Sequence, residues 1–252
     1  MRLRLLAAAL VAALAVASSV LAAVAFAGAS HSRPPRLTVF AAASLTNVLP
    51  KIDSGSRYSF GGSNMLAAQI EQGLPADVFA SANTGLPWQL RRKGLVTRPV
   101  VFTSNRLVVV VAPGNPLHLH SVHDLERSGL RIVMAAAGVP VGDYTRKVLK
   151  RLGLSDLVDK AVSQETDVRE VLAKVALGEA DAGFVYTTDA RTVKGKVGVL
   201  GIPKSAQPQV LYAAAAVKSS KHLQAAKAWV ERLLSKRAQK KLRAAGFLPI
   251  PH

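Results

Sequence analysis

The sequence predicts an α/β protein with mostly parallel sheets, and three observations predict it. Short apolar or β-branched runs recur along the body. Segments with helical periodicity stand between them, and glycines close most of those segments. Strands alternating with helices are the pattern of sheets covered by helices. The chain has 252 residues, half of them apolar and 5% aromatic. That is enough for a sizeable core and, as a prior, for one large domain or two ordinary ones.

The elements follow in chain order. Residues 1–27 have Arg2 and Arg4 ahead of an uncharged stretch, Leu5 to Ala27, that ends in Ala25-Phe26-Ala27. This reads as an export signal, and its length also suits an uncleaved N-terminal anchor. Cleavage after Ala27 removes 27 residues and two arginines, leaving 225 residues carrying +16 of the +18 total. Residues 28–35 form a linker. Arg36 to Ala43 (RLTVFAAA) is apolar enough for a strand buried on both faces, and Leu45 to Ile52 follows as a short helix interrupted by Pro50. Arg57 to Phe60 is a second strand. The Gly61-Gly62-Ser63 turn then leads into a helix over Asn64 to Gln72, stopped by Gly73. Asp77 to Ala80 is a strand, Pro87 to Lys93 a helix, and Arg106 to Ala112 the most β-branched strand. Ser121 to Arg127 is a short helix with a Ser121–Asp124 capping box. Leu130 to Ala137 is a strand, and Asp143 to Leu152 a helix ending at Gly153. In the next helix Asp167 is the N-cap, and Val168, Val171, Leu172, Val175 and Ala176 recur on one face. Ala182 to Tyr186, Lys196 to Leu200 and Leu211 to Val217 complete the strands, and one long helix covers Leu223 to Ala245.

Composition narrows the function. With no cysteine, disulfides, thiolate catalysis and a lipid-modified N-terminal cysteine are excluded. There is no P-loop, and the glycines between Gly195 and Gly201 lack dinucleotide-binding spacing. Gly61-Gly62-Ser63-Asn64-Met65 resembles a nucleophile elbow, with Met65 where the last glycine belongs. A serine hydrolase using Ser63 is therefore a remote alternative, and no enzyme is expected. His118, His120 and His123 read as a solvated loop rather than a metal site, so no protein–metal ligands and no cofactor are expected. Residues 218–243 hold nine Lys or Arg against Glu231. That pattern suits the wet face of a helix better than a nucleic-acid reader, which interleaves aromatics; nucleic acid is not an expected partner. A basic envelope-interaction protein is a third alternative.

Four strand-to-helix junctions carry small polar residues or free N–H groups. They lie at Ser44, at Ser63 after Gly-Gly, at Val141-Gly142, and at Val168 behind Asp167. A helix's first turn has unpaired N–H donors at the positive end of its dipole, which suits an anion. Ligands of open α/β sheets settle at strand carboxyl ends. Read alone, Ser44 and Ser63 are better explained as simple helix caps.

The segments Phe40-Ala41-Ala42-Ala43-Ser44-Leu45-Thr46, Pro75-Ala76-Asp77-Val78-Phe79-Ala80-Ser81-Ala82, Asp167-Val168-Arg169 and Gly183-Phe184-Val185-Tyr186-Thr187-Thr188-Asp189-Ala190 resemble the molybdate-binding proteins of molybdate ABC importers. The similarity runs through residues 36–250. It implies a two-lobed type II periplasmic binding protein, each lobe a mostly parallel sheet flanked by helices, with the ligand in the cleft between. Residues 36–104 with 206–252 would form one lobe and 105–205 the other. It further implies a monomer, held in the periplasm or at the outer face of the cytoplasmic membrane, that passes molybdate or tungstate to a permease driven by an ATPase. By position, Ser44 and Ser63 match the binding serines, Val141 and Val168 match backbone N–H donors, and Tyr186 matches the hydroxyl that closes the cage. A binder of sulfate or another tetrahedral oxyanion is the alternative on the same fold. The chain departs from the family in a shorter interval from Ser44 to Ser63, which implies a trimmed first helix and second strand, and in Asn83 where an aspartate is common.

Overall fold

The computed structural model describes residues 35–251. The export signal at 1–27 and the linker at 28–35, except its last residue, lie outside the described residues. In chain order the strands are β1 (Thr38–Ala42), β2 (Arg57–Gly61), β3 (Val78–Ser81), β4 (Val100–Asn105), β5 (Leu107–Val111), β6 (Ile132–Ala135), β7 (Ser163–Glu165), β8 (Ala182–Tyr186), β9 (Gly198–Gly201) and β10 (Val210–Ala216). They form two five-stranded sheets, ordered β2-β1-β3-β10-β4 and β7-β6-β8-β5-β9. β1 is parallel to β2 and β3, whereas β10 is antiparallel to β3 and β4. Likewise β6 is parallel to β7 and β8, and β5 is antiparallel to β8 and β9. Each sheet thus has four strands running one way and one running against them, in the same relative place.

The helices are α1 (Leu49–Ile52), α2 (Ser63–Glu71), α3 (Gly85–Arg92), α4 (Pro140–Leu152), α5 (Val168–Ala176), α6 (Thr187–Thr192), α7 (Leu223–Arg232) and α8 (Lys236–Ala245). α2 and α3 pack on β3, α5 and α6 on β8, and α7 on β10. The reason lies in the strands. Alternate residues of a strand point to opposite faces. Phe40, Phe79 and Ala215 stand in register across β1, β3 and β10, and with Leu66, Ile70 and Leu90 they form one apolar cluster. Val39 and Ala41 belong to the larger core instead. Phe79 is fully buried, and burying such a side chain stabilises by about 1.5–3 kcal/mol.

Several expectations are corrected. The single helix over Leu223 to Ala245 is two helices, because Ser235 caps α8, its Oγ accepting the Ala238 N–H at 3.2 Å. Trp229 takes a place on the buried face, and Leu234 is left exposed at the break. The expected helix from Leu45 to Ile52 divides into a 3-10 turn at Ala43–Leu45 and the four-residue α1, with Pro50 in its first turn, where proline is tolerated. Strand β4, strand β7 and helix α6 were not anticipated. β7 is the polar edge tripeptide SQE, and α6 (TTDART) has no apolar period. The Ser121–Asp124 capping box is present, on a 3-10 turn at Val122–Glu126.

Candidate functional site

One cavity gathers all five expected positions: Ser44, Ser63, Val141, Val168 and Tyr186 all line it, and all are buried. Its position follows from the topology. Ala42, Ala43 and Ser44 follow β1, Gly61, Gly62 and Ser63 end β2 and open α2, and Ala82 follows β3. On the other side Val139, Pro140 and Val141 follow β6, Asp167 and Val168 follow β7, and Tyr186 ends β8. The carboxyl ends of β1, β2 and β3 therefore face those of β6, β7 and β8, where open α/β sheets bind ligands. The space open to the centre of a water-sized sphere is about 10 Å³, which suits one small species.

The two sides touch. A Cβ on Gly62 would lie 2.4 Å from the Thr166 carbonyl oxygen, so only glycine allows this approach. The Arg169 guanidinium donates to Asn47 Oδ1 at 2.7 Å, joining α5 to the loop before α1. Gly142 has a similar role within its own half. A Cβ there would fall 2.2 Å from the Ala136 oxygen, so the start of α4 can press against the end of β6.

The donors are exposed to the cavity by local structure. Asp167 caps α5, its Oδ1 accepting the N–H groups of Arg169 at 2.6 Å and Glu170 at 3.2 Å. Val168, the first residue of that helix, keeps its N–H, which has no intrahelical partner. Val141 is the second residue of α4 behind Pro140, and its N–H is likewise unclaimed by the helix. The capping reading of the serines is not what the structure has: neither Ser44 nor Ser63 caps a helix with its side chain. Ser63 Oγ instead accepts the Ala82 N–H at 3.1 Å, which leaves its own proton to give. Ser44 Oγ lies 2.9 Å from the Tyr212 hydroxyl. The Tyr186 hydroxyl is buried with no hydrogen-bond partner. Burial, with help from nearby negative and phenolic groups, pushes its pKa well above the ordinary tyrosine value, so it remains a protonated donor.

No lysine or arginine lines the cavity among the described residues. Asp167 does, but its Oδ1 is turned onto the helix. Burial raises its pKa, with the Arg169 and Glu170 N–H groups acting against that rise. Behind it Asp189 is fully buried and 2.7 Å from Arg169. Burial pushes this carboxyl up to about 7 despite the guanidinium. His118, His120 and His123 lie outside the cavity lining. Sequence reasoning missed Tyr212, Asn105 and the Ala82 N–H. The available signal for Tyr212 was a hydroxyl-bearing ring alone in the buried run LYAAAA.

Two α/β halves meeting over a donor-lined cavity at their strand ends define a two-lobed solute-binding protein. The profile of bacterial extracellular solute-binding proteins matches residues 37–248. The molybdate-binding protein ModA of Mycobacterium tuberculosis is 36% identical over 221 residues, covering 84% of each chain. The periplasmic molybdate-binding protein of Azotobacter vinelandii has the same fold, with a TM-score of 0.76 at 24% identity over 86% of this chain and 100% of that one. A more distant relative, an aconitate isomerase from a Pseudomonas species, is 28% identical over 80% of this chain and 78% of its own. The chain belongs to the bacterial extracellular solute-binding protein family.

Proposed function

We propose that this protein captures molybdate or tungstate outside the cytoplasm and delivers it to an ABC permease driven by an ATPase. The observation that carries the reading is the convergence of hydrogen-bond donors from both sheets on one small cavity whose wall, among the described residues, has no cationic side chain. A tetrahedral dianion has four accepting oxygens and no proton to give at neutral pH. The Ser44 and Ser63 hydroxyls and N–H groups, the N–H groups of Val141 and Val168, and the Tyr186 hydroxyl would surround it. Hydrogen bonds to a charged group are worth about 1.5–3 kcal/mol each. The seven donors would contribute about 10–20 kcal/mol against roughly 4–15 kcal/mol of lost freedom, a difference within which micromolar binding, about −8 kcal/mol, falls. The relative named for molybdate binding at 36% identity supports the same ligand.

Residues 36–104 with 206–252 form one lobe in this reading and 105–205 the other. This division is supported by the change of sheet between β4 and β5 and again between β9 and β10. The protein works as an exported monomer, with residues 1–27 either removed or retained as an anchor. It performs no catalysis. Ser63 is bonded to a backbone N–H rather than to a base, and Asp167, the one carboxylate in the wall, is committed to its helix cap. Calorimetric titration of the purified chain with molybdate, tungstate and sulfate tests the reading. Molybdate and tungstate should bind about equally, and a large excess of sulfate should not displace them. Displacement by sulfate would reassign the ligand, and no binding of any of the three would overturn the reading.

A further inference from the structure

The hydroxyl of Ser44 is the member of the site with a partner whose own hydrogen bonds fix its direction. Asn105 Oδ1 accepts the Arg106 N–H at 2.9 Å, so its amide orientation is set. The amide nitrogen then faces Thr188 Oγ1 at 2.9 Å and the Tyr212 hydroxyl oxygen at 3.3 Å, and it gives one proton to each. Tyr212 receives there, so its own proton goes to its other neighbour, Ser44 Oγ, at 2.9 Å. Ser44 receives in turn, and its proton is left for the cavity. Every member of this relay is buried. Tyr212 is held between the rings of Phe102, Tyr186 and Phe247, with centroids 6.2, 5.9 and 5.4 Å away, so it cannot swing to another partner. The relay begins at Asn105, where the chain leaves the first sheet, and reaches Thr188 in α6 beside the second.

We propose that Asn105 and Tyr212 are positioning residues that lock Ser44 as a hydrogen-bond donor towards the ligand, selecting oxyanions without a proton. The proposal rests on the oxyanion reading of the cavity and deepens it. A ligand such as hydrogen phosphate would bring a donor of its own against this donor and lose a contact. A bare dianion satisfies it.

Two substitutions act on the relay in different ways. Tyr212→Phe keeps the ring and removes the proton given to Ser44, whose hydroxyl is then free to turn. Asn105→Asp keeps the shape but makes the group an acceptor. The carboxylate takes the protons of the Arg106 N–H, Thr188 and Tyr212, so the Tyr212 oxygen draws the Ser44 proton away from the cavity. Titration with sodium molybdate and with inorganic phosphate, at fixed pH and salt, reads both effects. Tyr212→Phe should weaken molybdate binding by about three- to tenfold, since it removes the bond that orients Ser44 but not the Ser44 donor, and should narrow the molybdate-to-phosphate ratio. Asn105→Asp should weaken molybdate binding further. In a Ser44→Ala background Tyr212→Phe should change nothing more, since it acts through Ser44. Thermal unfolding of the unliganded variants identifies any loss of folding, and the two substitutions give independent access to the same relay. If Ser44→Ala leaves molybdate binding intact, the oxyanion reading of the cavity fails. If Ser44→Ala weakens binding but folded Tyr212→Phe or Asn105→Asp leaves affinity and selectivity unchanged, the relay fails and the site stands. A Tyr212→Phe loss that persists in full in the Ser44→Ala background also overturns it.

Discussion

Tyr186 is 1% exposed, and its hydroxyl has no partner. A buried hydroxyl left unpaired costs about 1–3 kcal/mol, so the fold carries a penalty there that a ligand oxygen would relieve. Tyr186→Phe removes the penalty along with the donor. Molybdate affinity should fall by about tenfold while the unliganded melting temperature holds or rises; unchanged affinity in calorimetry would remove Tyr186 from the site. Gly62 is a second informative residue. Its φ of −60° suits any amino acid, yet a Cβ there would meet the Thr166 carbonyl oxygen of the opposite side. Gly62→Ala should force the two sides apart at this point and weaken molybdate binding more than tenfold. An affinity equal to wild type would show that the two sides need not approach this closely. The Asp167 cap could be read from its spacing to Glu170, because a cap is a local interaction. The bond between Ser44 and Tyr212 joins positions 168 apart in sequence and could not be read that way.

Among the elements, one carboxylate joins the end of α1 to α7. Asp53, just after α1, accepts from Trp229 Nε1 of α7 at 2.7 Å, from Ser56 Oγ at 2.6 Å and from the Gly55 N–H at 3.1 Å. Burial works against its charge. The hydrogen bonds from Ser56, Gly55 and Trp229 and the charge of Arg232 outweigh that and hold its pKa below the ordinary 3.8. A carboxyl with a lowered folded-state pKa contributes stability that is present above 3.8 and is lost as pH falls through the folded value. Asp53→Asn should therefore destabilise by about 1 kcal/mol at pH 7, about 2–4 °C in melting temperature for a chain of this size. The gap should close in acid, and a gap that is the same at pH 3 and pH 7 would contradict the assignment. Elements with strong periodicity were legible: α5 begins and ends within a residue or so of where Val168, Val171, Leu172 and Val175 place it. The break between α7 and α8 was not, because Lys and Ala continue the helical pattern through Ser235, and the cap shows only when the chain is seen to turn there.

At the scale of the whole molecule, the chain carries a formal charge of +18, and no lysine or arginine among the described residues lines the cavity. Its effect on the ligand is long-range. Capture of molybdate measured by stopped flow should slow as salt rises from about 10 to 150 mM, over which the Debye length shrinks from roughly 30 to 8 Å. The dissociation rate should change much less. An association rate indifferent to salt would mean that the surface charge has no part in capture. The α/β class was legible from the alternation of strand and helix. The one reversed strand in each sheet was not, because a buried strand such as Val210–Ala216 is a run of apolar residues whichever way it points.

Those two reversed strands differ in what the chain must wait for. All five strands of the second sheet come from one unbroken stretch, Leu107 to Gly201, whereas β10 wedges between β3 and β4 of the first. A chain emerging from its N-terminal end can finish the second sheet while β4 still has no neighbour to join. The half that supplies Ser44 and Ser63 is then the last to assemble, and it does so against a partner already formed.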